Sequence, residues 1–291
     1  MKNNEPIWFN NKVTQIDVGN KEPQYKIFVA TPVHSDCSIH YTQALLKFQQ
    51  DCFKNKILVS FSLLKSSLVT QGRNLCVAEF LNGDQNYTHL LFIDSDIDFK
   101  SETIFKMLKK DKDVIAVPYP MKMIDWEKIK RRTDVLKLDN ATDMSNAGYL
   151  FPLKLEGMNE IIIDDGVAEV THAPTGCMLI KRKVIEDMIS KYPELEIHQP
   201  TVVNGIETTK PNFYNLFDTY HEPETKRYYG EDFGFCKRWT KIGGKIHIYC
   251  MDYITHVGEY QYTGRFWDEL KASAEGIKIQ QNSVDEPTKI K

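Results

Sequence analysis

The chain has 291 residues, 42% hydrophobic and 26% charged, the balance of an ordinary globular protein with room for one sizeable core. A net charge of −3 leaves no overall electrostatic footprint for nucleic acid, so any DNA or RNA substrate would need a local patch. No stretch approaches the roughly 18 apolar residues of a membrane-spanning helix, and the six cysteines contain no CxxC pair, which excludes zinc-ribbon spacing and reads as reduced thiols in a cytoplasmic protein.

Residues 1–24 are polar and aperiodic, without the apolar run and cleavage site of a signal peptide, and read as a loosely docked arm. From Lys26 the text alternates. "KIFVATP" predicts a buried strand stopped at Pro32, 41–53 a helix through Ala44, Leu45, Phe48 and Cys52, and 56–64 a second strand. A helix over 71–83 closes on Asn-Gly, and "THLLFIDSD" gives the third strand. Residues 101–111 predict a helix with Ser101 as N-cap, followed by a fourth strand over 113–120. Strands alternating with helices imply right-handed βαβ units and a mostly parallel sheet, with any ligand beyond the carboxyl ends of the strands. "TPVHSD", the Asp94–Asp96–Asp98 cluster and "PYPMK" all fall at those ends.

The second half is less regular. Residues 160–173 predict a hairpin turning at Asp-Asp-Gly, and 175–192 a strand running into a helix. Residues 193–226 form a Pro-, Asn- and Thr-rich connection, long enough to suggest function. A helix over 230–244, a strand over 245–250 and "ITHVGEY" complete the core, and the last 20 or so residues are polar.

A strand-end D-x-D sets two carboxylates on one side of an extended chain, where each disfavours the other's charge unless a cation intervenes. Mg²⁺ or Mn²⁺ is bound by one or two such carboxylates plus substrate phosphates. A solvated strand end is the competing reading of the same residues.

The order of several stretches resembles glycosyltransferases of the GT-A fold: "KIFVATPVHSD", "SSLVTQGRNLCVAEFL", "HLLFIDSDIDF", "THAPTGCMLIKR", "YYGEDFGFCKRW" and "YITHVGEY". The likeness spans roughly residues 25–265 and is nearest in style to family 2-like enzymes of tailed bacteriophages. It implies an α/β, Rossmann-like sheet flanked by helices, with a nucleotide-sugar half over 25–125, an irregular acceptor half over 126–265 and a tail over 266–291.

The resemblance carries roles to particular positions. Asp94 and Asp96, with Ser95 between them, would meet metal and diphosphate, Asp96 as the direct ligand and Asp94 toward ribose or sugar. His256 would complete the site for Mn²⁺ or Mg²⁺. Thr31, Pro32 and His34 would hold the base and ribose of a nucleotide-sugar donor, a UDP-sugar. The Arg73-Asn74 pair would face the diphosphate, Arg73 with its bidentate fork and Lys122 adding charge. Gly176 would let substrate approach the backbone. Asp232 would be the general base of an inverting transfer, kept ionised by the helix dipole, with Glu231 orienting the acceptor.

Asp98 reads equally as a strand-end residue and a functional one, and Tyr119, Trp126, Tyr228 and Tyr229 are stacking candidates. The implied acceptor is a hydroxymethylated base in phage DNA, approached past the basic strip "KIKRR" (128–132), or else a glycan or protein. Two other classes compete. A nucleotidyltransferase would ordinarily carry a Gly-rich phosphate loop, which "ATPVHSDCS" lacks, and a non-catalytic sugar-nucleotide binder would have no need of a base.

Overall fold

The computed structural model describes residues 24–83, 86–153, 161–198, 200–203 and 205–260. The expected arm over 1–24, Gln24 apart, and the expected tail over 266–291 lie outside them. In chain order the elements are β1 (Lys26–Val33), α1 (Ile39–Lys54), β2 (Leu58–Lys65), α2 (Val69–Asn82), β3 (His89–Ile93), β4 (Ile97–Asp98), α3 (Ser101–Lys110) and β5 (Val114–Ala116). There follow α4 (Trp126–Leu136), α5 (Ala141–Gly148), β6 (Ile163–Asp164), β7 (Val167–Val170), β8 (Cys177–Lys181) and α6 (Arg182–Lys191). Small hairpins β9 (Thr201–Val203)/β10 (Ile206–Thr208) and β11 (Tyr220–Glu222)/β12 (Arg227–Tyr229) precede α7 (Glu231–Lys241), β13 (Ile246–Tyr249) and β14 (Thr255–His256).

The main sheet has the order β2-β1-β3-β8-β5-β13-β7-β6. β2, β1 and β3 pair in parallel, as do β5 and β13, whereas β8 runs antiparallel between β3 and β5. β7 and β6 finish the far edge as an antiparallel hairpin, turning at Asp165 and Gly166, both at positive φ. This is the α/β arrangement of a sheet flanked by helices, with the irregular second half that the sequence led us to expect; the sheet is mixed, with three parallel and four antiparallel neighbouring pairs.

β3 shows why the core forms where it does. Leu90, Leu91, Phe92 and Ile93 are all completely buried, and full burial of each such side chain contributes about 1.5–3 kcal/mol. Leu90 and Phe92 face one layer with Leu75 of α2, Val184 of α6 and Phe235 of α7. Leu91 and Ile93 face the other, with Phe48 of α1 and Ile104 of α3. A strand covered on both faces reads as a continuous apolar run, not an alternating one.

Two local expectations need correction. The fourth strand ends at Ala116 rather than 120, because Pro118 and Pro120 have no N–H to give a ladder. Ser101 is the first helical residue of α3; Lys100 is the cap and makes no side-chain cap bond. The Asn-Gly stop does close α2, with Gly83 as its C-cap at φ −70; a Cβ there would lie 2.5 Å from the Tyr87 ring.

Candidate active site

The carboxyl ends of β1, β3, β5 and β13 share one edge of the sheet, and most of the polar residues singled out in the sequence gather there. Asp94 follows Ile93 and keeps the strand's alternation, so it turns to the face of Phe92 and α2. Arg73 waits on that face, only 3% exposed, its guanidinium 5.3 Å from the centre of the Phe92 ring. Its Nη2 donates to Asp94 Oδ1 at 3.0 Å and Oδ2 at 3.3 Å, and its Nε donates to Glu231 Oε1 at 3.1 Å. Burial alone would lower the Arg73 pKa, but the charges of Asp94 and Glu231 outweigh it and raise it further. The arginine therefore joins the D-x-D, 21 residues after it, to the "GED" segment, whose Glu231 lies 158 residues after it.

Arg73 was expected to face phosphate oxygens; instead it is buried and committed to two carboxylates. Its Nη1 has no hydrogen-bond partner among the described residues. Asn74, its expected companion at the diphosphate, is also buried and clamps the loop before β11. Its Nδ2 donates to Asn215 Oδ1 and the Phe217 carbonyl, and its Oδ1 accepts the Phe217 N–H.

Glu231 and Asp232 open α7, whose N-cap is Gly230. Glu231 is tied to Arg73, and Asp232 has no ion-pair partner among the described residues. Its Oδ1 accepts the Phe233 N–H at 2.7 Å. Burial first, then the neighbouring Glu231 charge, push the Asp232 pKa up to about 6, against the smaller downward pull of that backbone bond and of Arg73. Desolvation, not the helix dipole, sets the direction of the shift, and at a pKa of about 6 the carboxylate is still mostly ionised at neutral pH, as expected of a base.

A second cluster forms around Asp96. β14 pairs with β4 so that His256 lies opposite Ile97, and the Val257 N–H donates to the Asp96 carbonyl at 2.8 Å. This brings His256 Nε2 to 3.4 Å from Asp96 Oδ2, which also takes the Lys122 ammonium. His256 Nδ1 lies 2.9 Å from the Pro120 carbonyl, an acceptor only, so Nδ1 carries a hydrogen. Burial would raise the Asp96 pKa, but hydrogen bonds and charge from His256 and Lys122 bring it down to about 2.

Tyr119 stands between the two clusters. Its ring packs edge-on against His256, 5.0 Å between centroids, and a Cβ on Gly176 would lie 2.6 Å from it. Gly176 is therefore bare to admit Tyr119 rather than substrate, while its carbonyl accepts the Asp94 N–H at 3.0 Å. The Tyr119 hydroxyl is held protonated, by burial first and then by Asp94, and it also feels Arg73 and Asp232. The sequence marked Tyr119 only as a stacking candidate; the bare glycine in "PTGC" was the signal for its place.

The remaining candidates divide. Thr31 is fully buried, its hydroxyl 2.6 Å from that of Tyr41, so its side chain faces the core. Pro32 lies against Gly72 of α2 and His34 is exposed beyond it. Ser95 holds the D-x-D turn to α1 by accepting the Ser38 N–H at 2.9 Å. Asp98 sits in β4 opposite Thr255. Tyr229 is buried and belongs to the core, whereas Tyr228 and Trp126 are exposed.

A cation at the D-x-D would find ligands of the right chemistry in Asp96 and His256, a carboxylate oxygen and an imidazole nitrogen facing each other. Asp94 does not face the same point, and no group of three or more His, Cys, Asp or Glu side chains is placed to hold a metal among the described residues. Two protein ligands with the rest from phosphate and water remain compatible with Mg²⁺ or Mn²⁺.

No family model and no curated protein matches the chain. Several solved structures are similar. One is A197 from STIV, with 14% identity and a TM-score of 0.41 over 80% of this chain and 86% of that one. Another is a glycosyltransferase involved in the glycosylation of the major capsid of PBCV-1, with 8% identity and a TM-score of 0.30 over 58% and 67%. Likeness at this level fixes neither fold nor activity, which rest on topology and side chains. Among the described residues no helix is long and apolar enough to cross a membrane.

Proposed function

We propose that the chain is a metal-dependent glycosyltransferase that moves a sugar from a nucleotide-diphosphate donor, a UDP-sugar, to an acceptor hydroxyl with inversion. The observation that carries this reading is the division of labour around Arg73. One buried guanidinium is shared by Asp94 and Glu231, leaving Asp232 beside them with no ion-pair partner among the described residues and with a pKa near the working pH. A general base is most effective when its pKa lies near that pH.

In this mechanism Asp232 takes the proton of the acceptor hydroxyl as its oxygen bonds to the anomeric carbon. The bond from that carbon to the diphosphate breaks in the same displacement, and the nucleoside diphosphate leaves. Glu231, fixed by Arg73, orients the acceptor beside the base. Mn²⁺ or Mg²⁺ held by Asp96 and His256 would neutralise charge on the leaving diphosphate. The Tyr119 hydroxyl, held protonated, is a donor to oxygen atoms of the sugar or acceptor.

For the acceptor we favour a hydroxymethylated base in DNA. Support comes from the exposed Lys130, Arg131 and Arg132 on α4 and from exposed Trp126 and Tyr228, since cationic strips track phosphates and aromatic faces stack on bases. Incubation with a panel of sugar nucleotides and Mn²⁺ tests the reaction class. Slow hydrolysis of one donor, lost in EDTA, is expected. No turnover of any donor, with or without hydroxymethylated DNA, would sink the reading in favour of a binding module.

A further inference from the structure

The two ion pairs of the D-x-D differ in exposure. The Arg73 and Asp94 side chains are 4% and 25% accessible, those of Lys122 and Asp96 39% and 34%. We propose that the Lys122 ammonium is a tethered stand-in for the divalent cation, holding Asp96 until the metal arrives and then turning to the donor's diphosphate. The inference rests on the metal-dependent reading above.

Three observations converge on it. First, His256 gives Nδ1–H to the Pro120 carbonyl and sets Nε2 3.4 Å from Asp96 Oδ2, and the Lys122 ammonium sits on that same carboxylate oxygen, so a carboxylate oxygen, an imidazole nitrogen and a cation already meet at one point. Second, the lysine can leave. It sits between exposed Met121 and Met123 beyond the sheet, and its flexible four-carbon stem can re-aim without moving the strands. Third, exposed pairs of this kind contribute little, so exchange for a divalent ion costs little. Asp94 has no such freedom, because releasing it would strand a buried guanidinium.

Binding of Mn²⁺ alone, read from the free-ion signal by electron paramagnetic resonance, tests the proposal without catalysis. Lys122→Met should bind Mn²⁺ about fivefold more tightly than wild type, as expected for removal of a weak exposed competitor. Asp96→Asn should abolish binding in both backgrounds. Equal or weaker binding by Lys122→Met overturns the proposal, since the ammonium then does not compete. Binding that survives Asp96→Asn also overturns it, because the ion lies elsewhere. If neither wild type nor Lys122→Met binds Mn²⁺, this proposal and the metal requirement fall together. Donor turnover in EDTA then shows separately whether glycosyl transfer stands.

Discussion

Asp94 and Asp96 are two residues apart, yet their surroundings treat them oppositely. Asp94 is locked to a buried arginine that also holds Glu231, and the three residues act as framework joining α2, β3 and α7. Asp96 meets an exposed lysine and a histidine brought by the last strand of the core. Two like charges at a strand end are tolerated because each has its own cation, one permanent and one exchangeable. The lesson is that a D-x-D need not be one clamp: here one acid is tied into the framework and the other is half-exposed and paired to a lysine that can turn away.

The largest effect that would test this division lies at Asp232, the acid the arginine leaves free. Asp232→Asn should lower transfer about 10²–10⁴-fold, the usual contribution of a positioned base. It should also raise stability at neutral pH. The folded pKa, about 6, lies above the unfolded value of 3.8, so the contribution of Asp232 is fully favourable below 3.8 and is lost as pH rises through 6. Removing the charge should lift the melting temperature at pH 7 by about 2–4 °C and flatten its pH dependence between those values. An unchanged melting temperature would mean the carboxylate is not desolvated.

Arg73→Leu comes next. Leaving Asp94 and Glu231 without their shared cation should cost about 3–5 kcal/mol in urea denaturation. Lys122→Met should cost under about 1 kcal/mol in the same assay. Similar losses in the two variants would erase the contrast between the pairs. A subtler check is the pH profile of kcat/KM in wild type, which should climb with unit slope and level off above a midpoint near pH 6. A midpoint near 4 would point to a solvated acid.

Much of this was legible beforehand, for physical reasons. The apolar run 90–93 reads as a buried strand, and its alternation with helices sets the acids after it at the carboxyl edge of the sheet. The direction of β8 was not legible, because alternation of side chains is the same in either direction. Nor was the role of Arg73, since helical spacing says nothing of which strand a helix lies against. One signal was available: the Arg73-Asn74 pair is followed by the unbroken apolar run Leu75, Cys76, Val77 and Ala78. A helix buried all round must pair any charge it carries. Thr31 was misread because "ATP" before a loop looks like a ligand edge, whereas the alternation of β1 turns its side chain to Tyr41.

The central claim is that Asp232 deprotonates an acceptor for a single displacement at the anomeric carbon. Proton NMR of the product formed from a UDP-sugar of known anomeric configuration tests it most directly. The account predicts an inverted product from wild type and about 10²-fold less or lower from Asp232→Asn. A product of retained configuration, or undiminished turnover by Asp232→Asn, would contradict it.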